Sequence, residues 1–363
     1  MASNVEQVNT PAAFAKSSET TKSLVDEVAS AATTAERRPE AAEELKALAS
    51  KDATAFAALQ RSDVVGRLWR LCAGEKTAAE DVEALCAKRD ANRDAVLPPV
   101  LDALAEIALL RAPALLGQQL STLPTVLAVC RSCGRPGAPS ERASPERLCL
   151  LAGLRWLAAL STHPVSKHLL KQGLAELVVR ALSLRTDQDL LLQCCVLSAN
   201  VAADGSEQAR ALCRAKVPRL LSRLLVAEVR PELKEHAVAA LNRITRSARG
   251  EPLDADEVIG PVALALLSQA EAPDAAAEGT WALHVLSSKG GSAVAKRMAA
   301  TPEVMDALEA RALGPLELED GDIALANKVA QMTFEDLTKL NQQAAAEDGP
   351  GADGGAAAED AAA

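Results

Sequence analysis

Apolar residues recur at helical spacing along most of the chain. In the segment from Lys171 to Leu182, and again in the segment from Arg214 to Leu225, they fall at positions i, i+3, i+4 and i+7, the spacing of a helix with one buried face. The segment from Glu257 to Ser268 is a third copy, and looser versions occupy residues 62–72, 121–130 and 301–312. Every periodic segment therefore predicts an α-helix, and we expect no β-sheet between about residues 51 and 340.

The helical segments repeat about every 43 residues. Pro218 and Pro261 stand at the same place in two copies, 43 residues apart. A second helical segment precedes each copy, at residues 151–162, 192–203, 236–247 and 279–290. A helical repeat of about 40 to 47 residues is typical of armadillo and HEAT solenoids. The pattern therefore predicts an all-α fold, a right-handed α-solenoid of about five to six armadillo-like repeats.

The composition divides the chain into three parts. Residues 1–50 are polar and Ala-rich, and we expect a helical N-terminal cap that is partly disordered, since terminal repeats need a polar outer face. Residues 51–343 form the predicted solenoid, in which the Pro-rich residues 131–147 are a loop inserted between repeats. Residues 344–363 are acidic and rich in Ala and Gly, which predicts a disordered tail.

The stretch from Cys194 to Leu225 resembles an armadillo repeat. It has an apolar helix that ends in Ser-Ala-Asn at Asn200, a polar turn at residues 203–205, and a Leu-rich helix that opens with Val217-Pro218. The resemblance covers about 260 residues and implies a fold that presents binding surface rather than catalytic groups. In this family the nuclear import adaptors bind basic peptides through a Trp and an Asn four residues later. The matching pairs here are Ala158 with Thr162, Val196 with Asn200, Ala239 with Arg243, and His284 with Ser288. Only Asn200 is the residue type that the family has at its position, so the resemblance disfavours a role in nuclear import.

Composition and charge narrow the function further. Apolar residues make up 49% of the chain but aromatic residues only 2%, so a core of closely spaced helices is favoured over a β-sandwich. The net charge of −10 argues against a general nucleic-acid binder, which needs a basic surface. No apolar run is long enough to span a bilayer, and the N-terminus lacks the pattern of a targeting peptide. We expect a cytoplasmic protein, with the nucleus as the alternative location.

Cysteine and histidine offer little chemistry. Cys130, Cys133 and Cys149 are the best metal candidates, but zinc takes four ligands and no second close pair follows them. We therefore interpret them, like Cys194 and Cys195, as core thiols. The four His residues are too few and too scattered for a convincing acid–base set. We expect no metal, no cofactor and no catalytic residues, and hence no enzyme. Trp156 and Trp281 fall elsewhere than the family's binding position and are expected in the core.

The charge distribution gives the one functional hint. Residues 205–250 contain ten basic and four acidic residues, whereas residues 301–363 contain 14 acidic and three basic residues. Solvated helix faces explain most such charges. Because Leu and Val of the Leu-rich helices face the core, their arginines point the other way, towards the groove that the armadillo resemblance implies. The predicted groove residues for an acidic partner segment are Arg180, Asn200, Arg219, Arg223, Arg243 and His284.

Two main functions remain at this point, with an enzyme whose site lies in the loops as a distant third. The first is a non-catalytic scaffold or adaptor that binds a protein segment along the groove, with the acidic tail as a competitor for the same groove. The alternative is a cytosolic nucleotide exchange factor for Hsp70 chaperones, which the armadillo resemblance allows because that branch has this size and repeat number. The two differ in whether the protein accelerates nucleotide release from an Hsp70.

Overall fold

The computed structural model divides into two compact units, Met1–Leu221 and Ser222–Ala363. The described residues are helical or lie in turns between helices, and none of them is in a strand. They are residues 91–109, 113–133, 144–184, 187–248, 255–267, 273–314 and 321–347, with a few single positions between 23 and 47. Within this part of the chain the prediction of an all-α fold is confirmed.

The first unit contains seven described helices and the beginning of an eighth, within which the division between the units falls. They are α1 (Ala91–Leu109), α2 (Pro113–Cys133), α3 (Pro145–Leu160), α4 (Ser166–Lys171), α5 (Leu174–Ser183), α6 (Gln188–Ala203), α7 (Ser206–Arg214) and α8 (Val217–Leu225). Helices of the same type in successive repeats stack on each other. In this way α1, α3 and α6 form one row, α2 and α5 a second, and α4 and α7 a third. Three rows of stacked helices are the arrangement that a three-helix repeat produces.

Local sequence explains where these helices begin and how they pack. Ser144 caps α3 by accepting a hydrogen bond from the Arg147 amide, and Pro145 occupies the first turn, where a missing N–H costs nothing. Trp156 is fully buried, and its Nε1 donates to Gln119 Oε1 at 2.9 Å. The prediction that Trp156 belongs to the core is therefore confirmed.

Polar side chains tie successive repeats of the first unit together at about one repeat spacing. The Arg147 guanidinium on α3 pairs with Asp187 at the start of α6, 40 residues away. The amide nitrogen of Ser166 donates to Asp204 Oδ2 at 3.1 Å, 38 residues away. Each contact joins equivalent places in neighbouring repeats, because the sequence repeats with nearly the same period.

The second unit contains two rows of stacked helices. Its helices are α9 (Pro231–Ala248), α10 (Ala255–Leu267), α11 (Pro273–Lys289), α12 (Ser292–Ala299), α13 (Pro302–Ala312) and α14 (Gly321–Glu347). Helices α9, α11 and α14 form one row, and α10 packs on α13 beside it. The last helix, α14, also contacts α12 and α13, so it covers the end of this unit.

The observed helix bounds differ from the predicted domain bounds at two places. Residues 131–133 and 145–147, assigned to the inserted loop, belong to the ends of α2 and α3. Residues 344–347, assigned to the disordered tail, continue α14, because Ala344 to Ala346 are strong helix formers and extend its last turn. The remainder of the predicted loop, most of the N-terminal cap and residues 348–363 lie outside the described residues. No helix in the described ranges is long and apolar enough to cross a membrane.

Candidate functional site

The residues predicted from the sequence lie at several separate places. In the first unit, Arg180 is exposed on α5 and donates to the Arg131 carbonyl at 3.1 Å. Asn200 on α6 donates from Nδ2 to the Ala158 carbonyl at 3.3 Å, so its amide already ties α6 to α3. Arg219 is half-buried in α8.

In the second unit, two of the predicted residues are exposed cations and the third is part of the packing. Arg223 on α8 and Arg243 on α9 are exposed. His284 on α11 is half-buried and pairs with Thr333 of α14 through Nδ1 and Oγ1, 2.9 Å apart. These contacts neither support nor exclude the predicted acidic partner, which stays a prediction.

The cysteines are buried side chains of the helix core. Cys130 and Cys149 are almost fully buried, and a Cβ at Gly153 of α3 would overlap Cys130 Sγ, so α2 and α3 approach closely there. Cys194 and Cys195 are buried as well, and burial raises the pKa of the Cys194 thiol to about 12. Among the described residues no group of three or more His, Cys, Asp or Glu side chains could hold a metal ion.

A cleft in the second unit is lined by an aromatic ring, a buried amide and several charged side chains. It has a volume of about 600 Å³, within the usual range of ligand sites. Its walls come from the single row of helices α9, α11 and α14. The lining residues are Glu235, His236, Ala239, Asn242 and Arg246 of α9, Ala277, Glu278 and Trp281 of α11, and Asp322, Ile323 and Leu325 of α14.

Asn242, which lines this cleft, has a buried polar atom without a hydrogen-bond partner. Its side chain is only 2% exposed, and its Nδ2 donates to Glu278 Oε2. A carboxylate only accepts hydrogen bonds, so this contact fixes the amide with Oδ1 as the remaining group. In the described part of the chain Oδ1 has no hydrogen-bond partner. A buried carbonyl oxygen without a donor costs about 1–3 kcal/mol.

Trp281 forms an aromatic wall of the cleft, and His284 holds its ring from the side. The two rings meet edge to face, with centroids 6.2 Å apart and an interplanar angle of 83°. The Thr333 hydroxyl donates to the Val329 carbonyl at 2.8 Å, so it can only accept from His284, whose proton is therefore on Nδ1. Burial lowers the pKa of His284 and favours the neutral ring.

The charges around the cleft are predominantly negative. The carboxyl groups of Glu235, Glu278 and Asp322 come from three different helices, whereas Arg246 is the one arginine among the lining residues. His236 uses Nδ1 on the Glu232 carbonyl, 2.9 Å away, and since a carbonyl only accepts, that nitrogen carries the proton. The cleft therefore presents more hydrogen-bond acceptors than donors.

Sequence reasoning missed the main residues of this cleft. Trp281 was expected in the core, but it is half-buried and lines the cleft, so that expectation is wrong. The position matched to the family's Asn was Arg243, whereas the amide that lines the cleft is its neighbour Asn242. A usable signal was present, because Asn242 interrupts the buried stripe between Leu241 and Ile244, and a buried amide needs partners.

Comparison with solved structures shows what the fold is similar to. A designed armadillo repeat protein in complex with peptide (KR)4 matches with a TM-score of 0.54 and 16% identity, over 71% of this chain and 100% of that chain. Computationally designed armadillo repeat proteins for modular peptide recognition match with a TM-score of 0.54 and 17% identity, over the same shares. No family model matches the sequence, and the search of curated proteins found no relative. The chain therefore has an armadillo-like helical-repeat fold.

Proposed function

We propose that the protein is a non-catalytic scaffold that binds a segment of a partner protein in the cleft of the second unit. The observation that carries the proposal is a cleft of about 600 Å³ that Trp281 lines together with the carboxyl groups of three helices. An extended peptide segment offers backbone N–H groups and apolar side chains, which these carboxyl groups and the Trp281 ring can bind. Two solved structures with this fold support the proposal, since one contains a peptide and the other was designed for peptide recognition.

The acidic partner predicted from the sequence is a separate proposal for other residues. It concerns Arg180 and Arg219 of the first unit and Arg223 of the second, which lie on α5 and α8 and do not line the cleft. Arg180 and Arg223 are exposed, so each ion pair they form contributes about 0.2–1 kcal/mol and weakens with salt. A carboxylate-rich segment would therefore need several such contacts at once.

Site-specific photo-crosslinking tests the scaffold proposal. A benzophenone amino acid replaces Ala277, which lines the cleft, or Ala310, an exposed residue of α13 that serves as the matched control. We expect a partner protein to be crosslinked from position 277 but not from position 310. The crosslink should disappear when Trp281→Ala is introduced. The captured protein, purified, should then bind the full chain and lose at least tenfold in affinity with the same variant. Equal capture at both positions, or capture indifferent to Trp281→Ala, would contradict the proposal.

The exchange-factor alternative has a separate readout. An Hsp70 loaded with fluorescent ADP is mixed with the full chain, and the rate of nucleotide release is measured. A scaffold of the proposed kind leaves that rate unchanged. An acceleration that Trp281→Ala does not remove would favour the exchange factor over the cleft.

A further inference from the structure

We infer that the cleft between α9, α11 and α14 binds its partner segment through a large apolar side chain, such as that of leucine, isoleucine or phenylalanine. This inference rests on the proposed function, because it assigns the chemistry of the segment that the scaffold binds. It starts from Leu325 of α14, which lines the cleft and is 48% exposed. Ile323 of the same helix and Trp281 of α11 also line the cleft and are half-buried. Three apolar side chains from two helices therefore border one accessible space, as in most ligand clefts.

The α9 side of the cleft leaves room for such a side chain. Ala239 lies one turn beyond Glu235 and about two turns before Arg246, and all three residues line the cleft. The middle of this wall is therefore a methyl group, with charged side chains towards its two ends. An apolar centre with a polar rim is the arrangement of interfaces in which one anchor side chain contributes much of the affinity.

The polar residues near this centre offer a ligand little to bind. The side chain of Asn242 is only 2% exposed and its Nδ2 donates to Glu278, so its amide belongs to the packing of α9 on α11. The charged residues of the lining include both signs, with three carboxyl groups that disfavour an anionic side chain. An apolar side chain removes the exposed apolar surface of the cleft from water without breaking any of these polar contacts.

The Trp281 wall is held in place before a ligand arrives. His284 meets the Trp281 ring edge to face, and Thr333 of α14 is hydrogen-bonded to His284. The helix that supplies Leu325 therefore also positions Trp281 through this chain of contacts. A wall that is already ordered lowers the entropic cost of binding.

Fluorescence anisotropy with defined peptides tests this inference on the full chain. The probes are labelled octapeptides of the sequence Gly-Ser-X-Gly-Ser-X-Gly-Ser, in which X is leucine, serine, arginine or glutamate. The variants are Leu325→Ser and Glu278→Gln. Met332→Ser is the matched control, because Met332 lies on the same helix, is 51% exposed and does not line the cleft. Far-UV circular dichroism verifies that each variant is folded.

We expect the leucine peptide to bind tightest. Its affinity should fall at least tenfold with Leu325→Ser, but less than twofold with Met332→Ser or Glu278→Gln. Equal losses with Leu325→Ser and Met332→Ser would show non-specific adhesion to apolar surface and overturn the inference. A serine peptide that binds as tightly as the leucine peptide would show recognition of the backbone alone and also overturn it.

The remaining outcomes separate this inference from the scaffold proposal. Tightest binding of the arginine or glutamate peptide, or a tenfold loss with Glu278→Gln, would show recognition of charge and overturn the apolar anchor, while the crosslink at position 277 keeps the scaffold proposal standing. If no peptide binds although that crosslink forms, Leu325→Ser must abolish the crosslink and Met332→Ser must not, or the inference fails. If no peptide binds and the crosslink is also absent, both proposals fail.

Discussion

The contact between Arg147 and Asp187 should be a main source of stability in the first unit. Arg147 Nη2 lies 3.0 Å from Asp187 Oδ1, and Nε contacts Oδ2, with the two side chains only 11% and 14% exposed. Asp187 also caps α6, since its Oδ1 accepts from the amides of Asp189 and Leu190 at 3.1 and 3.3 Å. The Asp187 carboxylate therefore caps the N-terminus of α6 and also joins α3 to α6.

Removing this carboxylate has two separable costs. Loss of the cap costs about 1 kcal/mol. The nearly buried guanidinium, left without its main acceptor, costs a further 1–3 kcal/mol or so, although Asp189 stays 3.2 Å from Nη2. We therefore expect Asp187→Ala to lower the free energy of unfolding by about 2–4 kcal/mol. Asp187→Asn keeps a good cap and loses only the charge, so it should cost about 1–2 kcal/mol.

Urea titration followed by tryptophan fluorescence measures these costs. In a Trp69→Phe, Trp281→Phe background, Trp156 is the one remaining tryptophan, and it lies in the core of the first unit. Glu207→Gln is the control, because Glu207 pairs with Lys167 at 3.4 Å in a contact that is 61% and 70% exposed. Its cost should stay below about 0.5 kcal/mol. The reasoning would be refuted if Asp187→Ala lost no more free energy of unfolding than this control, or if Asp187→Asn lost as much as Asp187→Ala.

Three further predictions concern other parts of the chain. Burial holds the pKa of His284 below its ordinary value of 6.5. As the pH falls, His284 is therefore protonated in the unfolded state before it is protonated in the folded state. The contribution of His284 to the free energy of unfolding is complete above pH 6.5 and declines below it. Urea midpoints between about pH 7.5 and about pH 5.5 should therefore fall more in the parent than in His284→Gln, and equal declines would contradict this origin. Cys194, with a pKa of about 12, should resist alkylation by iodoacetamide at about pH 8 and react after unfolding in urea, as mapped by mass spectrometry. The double variant Arg219→Glu with Arg223→Glu should abolish binding of a labelled octapeptide of alternating Glu-Asp. Deletion of residues 348–363 should tighten binding of the same peptide at low salt. If neither change alters the affinity, these arginines do not bind an acidic partner.

The sequence predicted the helices well because their burial pattern is local. In α5 the buried residues are Leu174, Leu177, Val178, Ala181 and Leu182, the spacing that the sequence shows by itself. Stacking one repeat on the next follows from the 43-residue period. The end of α14 was less predictable, since an Ala-rich acidic stretch resembles a tail in composition although Ala favours helix.

The candidate site was harder to predict because its parts come from different helices. Asn242 and Glu278 are 36 residues apart, and only packing α9 against α11 brings the amide to the carboxylate. Trp281 has the neighbours of a core residue in the sequence, yet its ring lies where three helices leave a gap. Helical periodicity identifies the face that a residue occupies, but it does not locate a gap between faces.

Two asparagines at related places in the repeats differ in how completely their hydrogen bonds are satisfied. Asn200 on α6 donates to a backbone carbonyl of α3 and is half-buried, so water can reach the rest of its side chain. Asn242 on α9 donates to a carboxylate of α11 and is almost fully buried, so water does not complete its hydrogen bonds. The same residue type thus joins neighbouring helices in both units, but of these two asparagines Asn242 is the one that retains a buried acceptor without a donor. Folding alone would favour a satisfied or apolar side chain at that position, because a buried carbonyl without a donor costs free energy.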